Sequence, residues 1–151
     1  MMFGFIVKYL NFLKRIPLFA LIYDSCLKLL LFLTEPMKLT WFDEIENEVL
    51  NWEHTSISLH KFGGTQFNYR KTEIGHLHSN GILDILFTKK TKQRLLDEQK
   101  ATSHHVFEKS GWISFYVRNE KDVENAIALL KLCYDLKLKA YSQNDIILAR
   151  V

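Results

Sequence analysis

Cysteine is nearly absent from this chain of 151 residues: only Cys26 and Cys133 occur, and no CxxC spacing exists. A disulfide framework and a thiolate metal site are therefore both excluded, and two thiols among apolar neighbours read as buried and reduced, which points to a cytoplasmic body. An excess of charge of one sign is also missing where it would matter. Residues 1–34 hold Lys8, Lys14, Arg15 and Lys28 against Asp24 alone, and the other 16 basic and 16 acidic residues balance. A neutral body has no electrostatic footprint for nucleic acid. Long uninterrupted apolar runs are lacking too. Ile16–Leu33 approaches the roughly 20 residues that a spanning helix needs, but Asp24 and Lys28 interrupt it. There is no AxA-type cleavage site for a secretory signal, no internal repeat and no low-complexity tract.

What is present is enough for one ordinary domain, with 48% hydrophobic and 25% charged residues. The strongest compositional shift is at the N-terminus. Pro17 divides residues 1–36 into an amphipathic stretch, Phe3–Arg15, and a more apolar helix in which Asp24 and Lys28, four apart, can pair on one face. Two readings fit this segment: an interfacial anchor whose bases face lipid headgroups, or a helical hairpin packed on its own domain or on a second copy in a homo-oligomer. Glu35-Pro36 marks the boundary with a body spanning 37–151.

The body reads as α+β. Residues 41–53, N-capped by Thr40, carry Phe42, Ile45, Val49 and Trp52 at helical spacing. Strands follow around residues 56–61 and 66–70, joined through Gly63-Gly64, then at 72–78 and 82–88 around Ser79-Asn80-Gly81, where Asn-Gly suits a tight hairpin. A short helix at 91–100, a strand at 112–118, and a long helix from Glu120 to Lys137 capped by Asn119 complete the order, with a last short strand at 145–151. The expected architecture is an antiparallel sheet of about five strands packed against helices, preceded by the hydrophobic helical segment.

The stretch EIGHLHSNGILD carries the chemistry. Alternation in a strand puts Ile74, His76 and His78 on one face and Glu73 on the other, and Asp84 on the partner strand faces the histidines if the register is tight. Downstream, Ser103-His104-His105 can send one imidazole to the same place. Trp112, Tyr116 and Arg118 share a strand face that could wall a ligand. Three chemistries compete. His76, His78 and His105 with a carboxylate suit iron, manganese or zinc. A histidine tuned by Glu73 or Asp84 could instead move a proton on an organic substrate. In the third, the imidazoles only satisfy partners within a half-buried sheet.

The order EIGHLH, LDILF, SHHV and SGWISFYVRNEKDVENAIALLKLCY resembles the luciferase-domain family, which includes the luciferases of luminous fungi. The likeness spans about Trp52 to Tyr134 and is densest at Glu73–His78 and Gly111–Asn119. It implies oxygenase-type chemistry, addition of O₂ to an electron-rich hydroxypyrone without a recognised metal or flavin, with Glu73, His76, His78, His105 and Trp112 at the matching positions. The hydrophobic N-terminal segment of the fungal enzymes implies membrane association for residues 1–34. This chain is shorter than those enzymes, and many family members have no assigned reaction. The expectation is a histidine-lined face that binds a small organic molecule and needs no cofactor. Its catalytic residues would be His76, His78, Glu73 and His105, and Trp112, Tyr116, Arg118, Asp84 and His104 would face the ligand.

Overall fold

Pro17 and Pro36 each open a helix, as expected of a residue that lacks the N–H a first turn leaves unbonded. The computed structural model describes residues 17–104 and 106–148, with side chains for 18–104 and 106–143. The expected Phe3–Arg15 segment lies outside the described residues. The elements are α1 (Pro17–Thr34), α2 (Pro36–Leu50), β1 (Thr55–Leu59), β2 (Thr65–Tyr69), β3 (Thr72–Leu77), β4 (Ile82–Leu86), α3 (Lys89–Asp97), β5 (Thr102–Ser103), β6 (Trp112–Tyr116) and α4 (Glu120–Leu148). No helix of the described residues is long and apolar enough to cross a membrane.

The strands form one antiparallel six-stranded sheet in the order β1-β2-β3-β4-β6-β5. The strand beyond the expected five is the two-residue β5, too short to leave a period in the sequence. One face of the sheet is apolar. Phe67, Leu83, Ile85 and Ile113 pack there with Ile45 and Val49 of α2 and with Val123, Ala126 and Leu130 of α4, all buried. Burial of each such side chain favours folding by about 1.5–3 kcal/mol, and this layer fixes which strand residues turn the other way. Among the described glycines, Gly111 permits the closest approach. Its N-terminal neighbour in space is the Phe87 carbonyl, which a Cβ would strike, and the Phe87 N–H donates to the Gly111 carbonyl at 3.1 Å.

Four local readings change. Helix α2 starts at Pro36, so Thr40 lies inside it rather than capping it. Helix α4 runs on to Leu148, making 145–148 helical instead of a strand. No glycine or proline stops it after Lys137, and Tyr141 continues its packing, 5.4 Å from the Tyr69 ring and under the Arg70 guanidinium at 5.1 Å. Its first turn is capped by Asp122, whose carboxylate accepts the Arg118 and Asn119 N–H groups at 2.8 and 3.2 Å. Asn119 stands at the cap position directly before Glu120, but its side chain donates to Asp122 Oδ2 at 3.0 Å instead of accepting a helix N–H. Cys133 is buried, with its thiol pushed up to about 12 by burial, but Cys26 is exposed on α1.

Asp24 also departs from expectation. Instead of meeting Lys28 at the surface it turns inward, with Ala20 and Leu31. Its carboxylate accepts the Gly64 N–H at 2.8 Å and the Ser79 N–H at 3.1 Å. Helix α1 is thereby fastened to two loops at one end of the sheet, 60–64 and 78–81.

Candidate functional site

The polar face of the sheet is organised along one rung. Gln66 on β2 stands opposite His76 on β3, His76 opposite Asp84 on β4, Asp84 opposite Ser114 on β6, and Ser114 opposite Thr102 on β5. Residues directly opposite in an antiparallel ladder bring their Cβ atoms within about 4.5–5.5 Å. The register alone therefore puts an imidazole, a carboxylate and a hydroxyl in contact. Ser114 donates to Asp84 Oδ1 in a short hydrogen bond, which fixes the carboxylate plane.

The other carboxylate oxygen is the centre of the site. Asp84 Oδ2 is buried and has no hydrogen-bond partner among the described residues. Around it stand His76 Nε2 at 3.5 Å, His104 Nε2 at 3.5 Å and His78 Nε2 at 3.7 Å. These distances exceed a normal N–H···O bond of 2.7–3.2 Å. Buried polar atoms are almost always hydrogen-bonded, so an oxygen ringed at this spacing has room to gain a closer partner.

Each ring is held differently. His76 Nδ1 meets Glu73 Oε1 at 2.6 Å, so this imidazole lies between two carboxylates. Burial pushes its pKa down, but Asp84 and Glu73 outweigh burial and hold it above the ordinary histidine value. His78 goes the other way, lowered by burial and by the neighbouring His76 charge. His104 Nδ1 accepts the Val106 and Phe107 N–H groups at 3.0 and 3.1 Å, which assigns the ring proton to Nε2, the nitrogen that faces Asp84. The loop beyond it is tied down by buried Lys92, whose Nζ donates to the Glu108 and Ser110 carbonyls at 2.7 and 3.2 Å.

Glu73 joins the cluster against the strand-alternation argument, and Ile74 leaves it. The β2–β3 register shifts between Phe67 and Asn68: Phe67 pairs with Gly75, and Asn68 with Glu73. Ile74 is therefore the extra residue of a bulge on β3. It buries itself in the apolar core, and the alternation beyond it is reversed, so Glu73 and His76 come out on one side.

A fourth imidazole was not anticipated. His60, just after β1, is buried and stacks on His76 with centroids 3.8 Å apart and planes 8° from parallel. Its backbone closes the loop that brings it back: the His60 N–H donates to Gly64 O at 3.0 Å, and Gly63 N–H to His60 O at 2.9 Å. Gly63 and Gly64 adopt φ of +89° and +82°, a conformation only glycine takes without strain. Burial, then the His76 charge, push His60 down to about 4. Only the Gly63-Gly64 pair after it hinted in the sequence that the chain folds back there.

Trp112 stands beside the cluster, 5.3 Å from the His76 ring and 6.2 Å from His104. Tyr116 and Arg118 pair with each other, the guanidinium 4.8 Å from the ring, toward the far end of β6. His105 lies outside the described residues, so the expected His76–His78–His105 set has no described geometry. A cleft of about 640 Å³ opens beside the His104 loop, lined by Lys89 and residues 106–110. The four imidazoles of the cluster do not line it.

His60, His76 and His78 offer nitrogens within 4.8 Å of one another, close enough to suggest a divalent metal. Ring orientation argues against it. With stacked planes up to 3.8 Å apart, an ion shared by His60 and His76 would sit roughly half that distance out of each ring plane. That is most of a metal–nitrogen bond of about 2.0–2.1 Å, whereas the imidazole lone pair lies in the plane. As arranged, these residues do not fit one ion.

No curated protein and no solved structure matches this chain. Residues 71–133 do match a family, described as Luciferase domain. His60 and Asp24 lie outside the matched stretch, but Glu73, His76, His78, Asp84, His104 and Trp112 all lie within it. The stretch from β3 to the middle of α4 is therefore similar to the luciferase-domain family.

Proposed function

We propose that the cluster around Asp84 binds a small organic molecule with an acidic enol or activated C–H group and removes its proton. The observation that carries this reading is a split between neighbours. Around one buried carboxylate, His76 is held above and His78 below the ordinary histidine value. Groups whose environments separate their protonation in this way divide acid and base roles between them. At neutral pH His78 is an unprotonated imidazole and accepts the proton. His76, whose cationic form Glu73 and Asp84 favour, stabilises the oxyanion left behind. Ser114 positions Asp84, and Trp112 offers an apolar wall. The enolate carbon can then form a C–O bond with O₂, its electron pair passing to O₂ as the oxidant, and the peroxide anion that results takes back the proton held by His78.

The test uses a 4-hydroxy-2-pyrone as probe and follows deuterium exchange at its acidic ring carbon by NMR. The native protein is expected to accelerate exchange over buffer, and His78→Ala to remove the acceleration while binding persists. Binding without accelerated exchange would instead identify a ligand-binding module with no proton-transfer role. No binding of any enol would leave the imidazoles as structural partners of the sheet.

A further inference from the structure

Lys92 is a charged side chain in an unusual place. It is 6% exposed, and its Nζ meets the backbone carbonyls of Glu108 and Ser110 but no carboxylate among the described residues. An ammonium taken out of water without a countercharge is costly, and an apolar side chain would fill the same place without that cost. Both carbonyls belong to the segment between His104 and Trp112.

That segment is closed on itself. The Ser110 N–H and hydroxyl donate to the Phe107 carbonyl at 3.0 and 2.6 Å, and Ser110 Oγ accepts the Trp112 N–H at 3.2 Å. At its other end the Val106 and Phe107 N–H groups converge on His104 Nδ1. A proton on that nitrogen would set three N–H groups against one another, so the closed segment fits only the tautomer protonated on Nε2. Asp84 on β4 faces Nε2 and favours an imidazolium, but His76 and His78 on β3 share that carboxylate. The imidazolium would also need Nδ1 released from both N–H groups.

His104 differs in this from its neighbours. His76 in its cationic form can surrender a proton to an enolate, and His78 can take one. A neutral imidazole does neither through its Nε2–H, because losing that proton would leave an imidazolate. It hydrogen-bonds an oxygen as negative charge grows there, and so holds an enolate without quenching it.

We propose that Lys92 is a positioning residue: by holding the Glu108 and Ser110 carbonyls it keeps the segment closed on His104 Nδ1, which makes His104 a neutral, fixed Nε2–H donor to the substrate oxygen. The donor role rests on the proton-transfer reading, whereas the tautomer is measured without substrate. The experiment is long-range proton–nitrogen NMR at neutral pH on the full chain labelled with nitrogen-15 histidine. Native His104 is expected to show a bare Nδ1 and a protonated Nε2. Lys92→Met, with its fold verified by circular dichroism, should lose that signature and average the two tautomers while the His60 signals stay in place. Lys92→Arg, which keeps the donors, should retain it. In the 4-hydroxy-2-pyrone exchange assay Lys92→Met should lower the maximal rate about tenfold or more with little change in half-saturating pyrone, because the donor acts as charge develops.

A native His104 protonated on Nδ1, or on both nitrogens, overturns the proposal whether or not any variant folds. So does a Lys92→Met protein whose His104 keeps the native signature. An unchanged exchange rate in a variant that has lost the signature overturns the donor role. A native protein that accelerates no exchange sinks the proton-transfer reading and the donor role with it, while the tautomer signature still decides whether Lys92 sets the ring.

Discussion

Replacing Asp84 with asparagine tests the electrostatics of the cluster with almost no change of shape. The side chain is 1% exposed, and an amide oxygen can still accept the Ser114 hydroxyl. What disappears is one negative charge 3.5 Å from His76 Nε2. Coulomb's law at an effective dielectric near 20 puts that attraction at about 5 kcal/mol. Desolvation reduces the net effect, and an opposite charge at this range shifts a pKa by about 1–3 units. Removing one member of a buried pair costs about 3–5 kcal/mol. The lower end applies, because Glu73 remains 2.6 Å from Nδ1. The pH dependence has a definite sign. His76 is raised in the folded state, so its contribution is complete below the unfolded value of 6.5 and is lost as pH rises through the folded pKa. Burial raises Asp84 and Glu73, but the adjoining His76 outweighs it and both are lowered, so theirs is present above the unfolded values of 3.8 and 4.5 and vanishes as pH falls through the folded ones. Urea unfolding of the two proteins should therefore show Asp84→Asn less stable by about 3 kcal/mol between pH 5 and 6, with the gap narrowing above pH 7. A gap that is absent, or that widens with rising pH, would refute an imidazolium paired with Asp84.

Three further outcomes follow from the same geometry. His60 is pushed from 6.5 to about 4, so its contribution, present above 6.5, is lost as pH falls toward 4. His60→Phe, which keeps a stacking ring but cannot titrate, should flatten the pH 7-to-4 loss in urea unfolding by up to about 3 kcal/mol; an unchanged slope would contradict the burial of a neutral ring. Gly64→Ala places a Cβ against the Leu77 carbonyl at φ +82°, so it should destabilise by about 1–3 kcal/mol and shift the His60 and His78 NMR signals, and a neutral substitution there would show that the loop relaxes freely. Any zinc, iron or manganese held by untagged protein should be unaffected by His60→Phe, because stacked His60 and His76 cannot share an ion; a metal lost in that variant would mean the rings unstack to bind it.

Much of this site can be read from strand periodicity and one turn. Asn80-Gly81 closes the hairpin, with Gly81 at φ +89°, and that register sets His76 opposite Asp84. The same alternation puts Trp112 and Ser114 on the polar side and Ile113 in the core. Glu73 was misplaced because a bulge has no sequence signature of its own, and a single extra residue reverses every side chain beyond it. His60 arrives through a glycine loop whose return path depends on β2 and on Asp24, a contact spanning 40 residues. Asp24 itself looked like half of a surface pair with Lys28, because i,i+4 spacing shows which charges can meet and not which face is buried. Ser114 carries no chemical signature as a lone serine and gains its role only from the β4–β6 register.

The central claim is that one buried carboxylate divides neighbouring imidazoles into a cation and a base. Site-resolved NMR titration of the histidine ring carbons tests it directly in the native protein. The expected result is that His76 titrates above the ordinary 6.5, and His78 and His60 below it, with His60 near 4. Three histidines titrating together near 6.5 would contradict the split and, with it, the proposed roles of His76 and His78.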